Sequence, residues 1–498
     1  MLAPAAWSAE RRVIGLAGLG PLEQRQEIEG WVAGPEETPD TLTVAVVGGL
    51  TGEDASSDMV RDALKAYETD GKATYRIVAI PVANPMGATL QFPPEGVAYR
   101  ENPESHYLWR WLGAHGPDLV LIAGKDPGGL GEALATNKVA GVGTIRSARL
   151  KKAADLPKLA ANLSPSPAHL ELNRRRARSP RQLADELSAV FGHDFNQLTY
   201  LPGMALIGQL RLGNVDAVEK LAHPYLDPNR DILARASSLT LAGHQVFAAL
   251  AERLPEGELR DQYIALVKRV GDLGFDENGK MKESMPFHGE MSDSYFMAGP
   301  ITTKAGKFTG EQKYFDMVAR HFRFLRKLTL REDGLHRHSP LTDAAWSRGN
   351  AFPALGLALT LTDFPEDHPD YEFILGAFRD HMAALAKYQD PDGMWHDVID
   401  VPGAYPETSA TSMIATAMLR GIRHGWLDAD KYQPIVDKAW QAVLGRISSE
   451  GILIDVCEST NKQPSLEAYL NRAAVLGPDT RGGGMALLLA TEMANLPE

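Results

Sequence analysis

The stretch Asp333–Phe352 reads DGLHRHSPLTDAAWSRGNAF. It opens on an Asx-Gly pair, runs on as a short alternating segment, and ends where apolar residues begin to recur at helical spacing. Such a pair makes a tight turn, because the glycine accepts the positive φ the turn needs. The same opening returns at Asn278-Gly279, Asp392-Gly393 and Glu450-Gly451. The residues before the glycines are 278, 333, 392 and 450, at intervals of 55, 59 and 58. Apolar periodicity places two helices in each interval: 293–303 with 310–329, 349–363 with 370–389, and 408–425 with 430–446. Segments at 203–221, 231–254 and 258–273 extend the pattern upstream, and 465–475 and 482–496 extend it downstream. Periods of this size mean stacked helix pairs, either an open superhelix or a closed toroid of about six pairs. His336, Arg337, His338, Trp346, Arg348, Trp395, His396, Asp397 and Glu407 gather at one place in each repeat, which favours the mouth of a closed barrel. Residues 190–498 are therefore expected to form an all-α (α/α)6 barrel.

The chain before the repeat reads differently. Apolar runs at 41–49 and 75–87 alternate with a helical pattern at 58–69, and His106–Gly124 reads as a helix followed by a third strand. Alternation of this kind predicts an α/β layer with a largely parallel sheet over residues 1–165. Residues 166–190 are rich in Arg, Pro and Ser and read as a linker, with Arg174–Arg178 as a solvated face.

Bulk properties narrow the function. A net charge of −13 argues against a nucleic-acid binder, which needs clustered Lys and Arg. One cysteine, Cys457, excludes a disulfide framework and Cys-rich zinc patterns. No apolar run approaches the length of a membrane span, so no membrane association is expected. The N-terminus shows no signal-peptide pattern, which leaves a cytoplasmic or periplasmic location open. No cofactor or metal is expected, and the sequence is silent on oligomeric state.

Two resemblances carry the reading further. Pro81, Asn84, Pro85 and Gly87, then Arg100, Pro103 and Glu104, with Glu53, resemble motifs of the desuccinylase and aspartoacylase branch of the zinc carboxypeptidases. Leu50 stands where that family has its first histidine ligand, and the third strand ends in Ala123-Gly124 without the last one. The first domain is thus expected to be a metal-free carboxypeptidase-like relic. In the repeat, GEMSDSYFMAGP (289–300), the stretch from Asp333, DGMWHDVIDVPGAYPETSATSMIATAM (392–418) and GPDTRGGGMALLLATE (477–492) resemble, in order, the motifs of glycoside hydrolase families 88 and 105. Those families comprise unsaturated uronyl hydrolases. Met291 replaces the family's usual Trp, and Phe352-Pro353 occupy a later aromatic position.

The resemblance implies a specific chemistry. A protonated Asp adds a proton to C4 of a C4=C5 unsaturated uronic acid, water adds at C5, and the resulting hemiketal opens to release the remaining sugar. Asp293 is the implied acid. It lies among Met and aromatic residues, whose apolar surroundings favour a protonated carboxyl; the competing reading is a plain helix N-cap. Asp231, 62 residues earlier, is the implied second carboxylate, with Asp227 as its competitor and a helix cap as the alternative role. An acidic oligosaccharide would meet Arg348 at its carboxylate and Trp346 or Trp395 at its ring face. His338, in preference to His336, would line the pocket, with Asn350, Glu407 and Tyr295 as further contacts. Hydrolysis of a saturated uronide, elimination by a lyase, and non-catalytic carbohydrate binding are the alternatives on the same barrel.

Overall fold

The computed structural model describes residues 8–70 and 73–496 and divides the chain into two units. The first comprises residues 1–177 with two later segments, 401–406 and 466–476; the second comprises the rest.

The first unit is built on a six-stranded sheet of β1 (Glu10–Ala17), β2 (Gln26–Ala33), β3 (Thr43–Val47), β4 (Arg76–Ile80), β5 (Leu119–Ala123) and β6 (Ser147–Leu150), in the order β1-β2-β4-β3-β5-β6. The pairs β3–β4, β3–β5 and β5–β6 are parallel; β1–β2 and β2–β4 are antiparallel. Strands β3 and β5 are buried along their whole length, as parallel strands covered on both faces must be. The α-helices α1 (Ala55–Asp70), α2 (Pro103–His115), α3 (Leu130–Thr136), α4 (Leu156–Leu159) and α5 (Pro167–Arg176) complete the layer. The later segments belong to this unit through side-chain contacts: Tyr99 stacks on Tyr405 at 4.6 Å, and Arg25 donates to Asn471 at 2.7 Å.

Residues 166–190 are not a linker. Helix α5 starts at a Ser166 cap that accepts from His169 N, and α6 (Pro180–Ser188) starts at a Ser179–Gln182 capping box, each with Pro in its first turn. The arginine run is a solvated face only in part: Arg174 is exposed, whereas Arg175 and Arg178 point inward. Arg175 is buried and donates to Glu171 and Gly141 O, and Arg178 donates to the carbonyls of Leu444 and Ile447.

The second unit is a closed barrel. Its inner helices are α7 (Tyr200–Arg211), α9 (Ser238–Gly243) continued by α10 (Gln245–Ala251), α12 (Ser294–Thr309), α14 (Ser347–Asp363), α16 (Thr408–Arg423) and α19 (Thr480–Met493). Each touches two others, in the cycle α7-α9-α12-α14-α16-α19 and back to α7. Outside them pack α6, α8 (Val215–Ala222), α11 (Glu258–Asp272), α13 (Gln312–Thr329), α15 (Tyr371–Leu385) and α17 (Ala429–Gly445). The inner helices are buried nearly all round, whereas the outer ones bury one stripe, as a two-layer ring requires. Gly356 lets α14 reach α12: a Cβ there would lie 2.5 Å from the Tyr295 carbonyl carbon.

All four turns, three Asx-Gly and one Glu-Gly, adopt one geometry. The glycine donates to the residue three before it, that residue donates to the one after the glycine, and φ is +76°, +84°, +96° and +74° in order. Two expected helices differ. The 231–254 helix starts only at Ser238, because 227–237 forms turns ending at a Ser237 cap. Near 465–475 only α18 (Leu466–Leu470) is helical.

Candidate active site

Each inner helix begins just after a turn-and-extended segment, so inner-helix N-termini bring their first residues together. Burial pushes the Tyr200 phenol at the start of α7 up to about 12, and the charges of Arg348, Asp293, Arg481 and Asp479 all act on it. The starts of α7, α12, α14 and α19 therefore share one mouth. That of α16 joins them through Arg348, which lies 3.7 Å from Glu407 and donates to Ser409 Oγ at 3.2 Å. Converging N-termini give this mouth a positive bias.

Asp293 occupies the N-cap position of α12, but its side chain makes no capping hydrogen bond. Instead Oδ1 lies 3.2 Å from His338 Nε2, with the Asp293 side chain 14 % exposed and His338 buried. The carboxylate thus leaves its cap position unfilled and faces an imidazole at ion-pair distance. His338 is held from behind by the Trp346 ring, at 4.6 Å between centroids. Trp346 Nε1 donates to Asp397 Oδ1 at 3.2 Å, and Arg348 lies 4.8 Å over the same indole. Burial, reinforced by Glu407, pushes the Asp397 carboxyl up to about 7.

The other expected site residues serve the frame. Asp231 lies on an exposed turn, accepts from Leu233 N and pairs with Arg269 at 2.9 Å; it is not in the cluster. Tyr295 points into the wall, donating to Phe322 O at 3.3 Å. His336 is buried against Tyr295 and His381 and bonded to Thr329 Oγ1; burial holds it well below the usual imidazole value, hence neutral. Asn350 clasps the turn segment to α14, accepting from His336 N and donating to the carbonyls of His336 and Trp346. Trp395 is fully buried with its indole N–H on Leu385 O, so it offers no face to a sugar. Trp346 is 2 % exposed and covered by His338 and Arg348, which also removes it as a stacking platform.

Arg348 and Glu407 line the floor with most of their bonds made. Arg348 donates to the carbonyls of Cys457 and Glu458 at 2.8 and 2.9 Å. Burial opposes its charge, yet Cys457, Glu407, Tyr200 and Asp397 together hold it above the ordinary guanidinium value. Glu407 caps α16 at Ala410 N and accepts from Ser409 Oγ and Cys457 N. Arg348 therefore acts through its field more than through a free bidentate fork. Tyr200 and Arg481 are not singled out from the sequence, and Asp397, gathered there with the residues of the mouth, is given no role. Asp397 had a signal: it stands four residues past Gly393, as His338 stands four past Gly334.

The second unit is thus an α/α barrel whose inner-helix N-termini surround a carboxylate–imidazole pair. The sequence profile of Glycosyl Hydrolase Family 88 matches residues 216–496, more than half of the chain, and the chain belongs to that family. It is 32% identical over 172 residues to an unsaturated 3S-rhamnoglycuronyl hydrolase of Formosa agariphila, covering 30% of this chain and 45% of that protein. It is 28% identical over 187 residues to an unsaturated rhamnogalacturonyl hydrolase of Bacillus subtilis, covering 36% and 52%. The chain thus spans about half the length of these curated relatives. A family 105 glycoside hydrolase from C. acetobutylicum superposes with a TM-score of 0.53 at 19% identity, covering 64% of this chain and 99% of that one. A family 88 enzyme from Bacteroides vulgatus gives 0.53 at 18%, with the same coverage. Both show the barrel fold.

Proposed function

We propose that the protein removes a terminal 4,5-unsaturated uronic acid from an acidic oligosaccharide, with Asp293 as the acid. Protonated Asp293 gives its proton to C4. Water adds its oxygen at C5, and its released proton returns through Asp293 or His338, restoring the acid. The C5 hemiketal then opens and the remaining sugar leaves with its own hydroxyl. The observation that carries this reading is the Asp293–His338 contact at 3.2 Å in place of a helix cap. The names of the two relatives support the substrate class. Arg348, Arg481 and the gathered helix N-termini supply the positive field for the uronate carboxylate. Direct displacement at a saturated glycoside needs two carboxyl groups across the bond, and Asp231, paired with Arg269 on an exposed turn, is a poor second one.

In the first unit we infer a carboxypeptidase-like sheet retained for structure. Leu50 is buried at the end of β3, and Glu53 is tied at the surface to Arg61 at 2.6 Å. Neither arrangement offers a catalytic metal its ligand set.

The test follows the ultraviolet absorbance of the C4=C5 bond in lyase-generated unsaturated oligosaccharides, with wild type and Asp293→Asn side by side. Loss of absorbance with wild type alone is the expected result. Equal loss with Asp293→Asn would remove Asp293 as the acid. No loss with any substrate would overturn the hydration, and a gain on intact polymer would mean a lyase.

A further inference from the structure

We propose that Asp397 is a positioning residue for the Asp293–His338 pair and acts through the Trp346 indole; the inference rests on reading that pair as the reacting groups. Four contacts link it to the pair without a gap. Asp397 Oδ1 accepts from Trp346 Nε1 at 3.2 Å, and Asp397 O accepts from Ser347 N at 2.7 Å, so one residue holds the indole by its side chain and the adjoining residue by its backbone. The indole then stacks on His338 at 4.6 Å, tilted by 49°, and His338 Nε2 meets Asp293 at 3.2 Å.

The arrangement follows from the repeat. Ser292 N donates to His338 O, and Ser347 N donates to Asp397 O. These are the same bond one repeat apart, each tying the start of an inner helix to the extended segment of the next turn. His338 and Asp397 are therefore equivalent positions, and so are Asp293 and Arg348, each one residue past its serine. One copy of the motif presents an acid and an imidazole to the mouth. The other, buried, holds the wall on which the imidazole rests.

The indole N–H is the one polar group of the Trp346 side chain, and its bond to Asp397 fixes the direction in which the ring plane faces. A buried N–H without its acceptor also carries a desolvation cost, so loss of Asp397 favours a different indole orientation. The groups facing Asp397 are Trp346 and Arg348 at the start of α14, Glu407 at the start of α16, and Cys457. Either protonation state of Asp397 leaves Oδ1 able to accept, and so does an asparagine.

The experiment compares Asp397→Leu, which removes the acceptor, with Asp397→Asn, which keeps one. A displacement of about an ångström at the reacting pair costs on the order of 100-fold. Asp397→Leu is therefore expected to lower kcat about 10- to 100-fold with KM little changed, and Asp397→Asn to restore most of it. Trp346→Phe, which keeps a ring but no N–H, is expected to match Asp397→Leu, and the double variant to be no worse than either single one. Nitrogen NMR of the histidine side chains gives a readout that needs no substrate: the His338 Nε2 signal shifts in Asp397→Leu and returns in Asp397→Asn. A shifted and rescued signal in a protein inert on unsaturated substrates would sink the proposed reaction and leave the positioning standing. An unmoved His338 signal, equal losses in Leu and Asn, or additive losses in the double variant would overturn the positioning.

Discussion

Replacing Glu492 by Gln should destabilise the barrel by about 3–5 kcal/mol, the cost of stranding a buried charge by removing its partner. Glu492 lies near the C-terminus of α19 and accepts from Arg211, Arg420 and Arg423, each at 2.9 Å. The Arg211 and Arg420 side chains are 4 % and 1 % exposed, so water cannot take over the lost charge. For a unit of this size about 2 °C of Tm follows each kcal/mol, which predicts a fall of roughly 6–10 °C. Burial pushes the Glu492 carboxyl up, but Arg420, Arg211 and Arg423 outweigh it, and the net shift is downward. The folded state therefore binds the proton less tightly than the unfolded one. The contribution is present above the unfolded value of about 4.3 and is lost as pH falls through the folded value. Differential scanning calorimetry from pH 7 to pH 3 reads both effects: the deficit of Glu492→Gln is largest at pH 7 and shrinks towards pH 3. Asp185→Asn is the control, because Arg181–Asp185 is half exposed and such pairs contribute at most about 1 kcal/mol. A Glu492→Gln deficit no larger than that of Asp185→Asn would refute the reasoning.

Two further predictions concern the turn and the displaced carboxylate. Asp231→Asn should leave kcat/KM on any accepted substrate unchanged in a steady-state assay, because Asp231 stands on an exposed turn outside the cluster; a loss of tenfold or more would return it to the site. Gly334→Ala should lower Tm more than Gly279→Ala, since both require positive φ but only at 334 does the new Cβ meet a neighbour, Ala384 Cβ at 2.9 Å; equal shifts in a thermal melt would show that backbone strain alone sets the cost.

The barrel was legible because its signal repeats. One Asx-Gly pair is an ordinary turn, but four such turns at nearly equal intervals, each followed by two helical periods, imply a ring. The edge of the first sheet was not legible, because β1 opens with Glu10, Arg11 and Arg12, and such charged edges hide a strand from an apolar pattern. The site was legible in residue type more than in role. Arg348, Glu407 and Asn350 are polar and lie beside the mouth, yet their bonds join helix starts to turn segments. Every inner helix begins with N–H groups that need partners inside the protein, so a buried mouth consumes polar side chains before any substrate arrives. Asp231 failed for another reason: one repeat length before Asp293 falls in the turns that precede α9, where the helical register does not yet hold.

The two ends of the ring then differ for a physical cause. Where N-termini converge, Asp293 and His338 stand with their mutual contact in place of a cap, and positive helix ends favour an anionic group. Towards the C-termini carbonyls converge, and the side chains alternate: Arg211 on α7, Glu252 after α10, Lys304 and Lys307 on α12, Asp363 on α14, Arg420 and Arg423 on α16, Glu492 on α19. Glu252 and Asp363 are each held by both lysines. Cations outnumber carboxylates in this ring, which offsets the negative helix ends they sit on. The arginine side of this ring tolerates least change, because Arg211, Arg420 and Glu492 are buried and each charge removed there strands its partners.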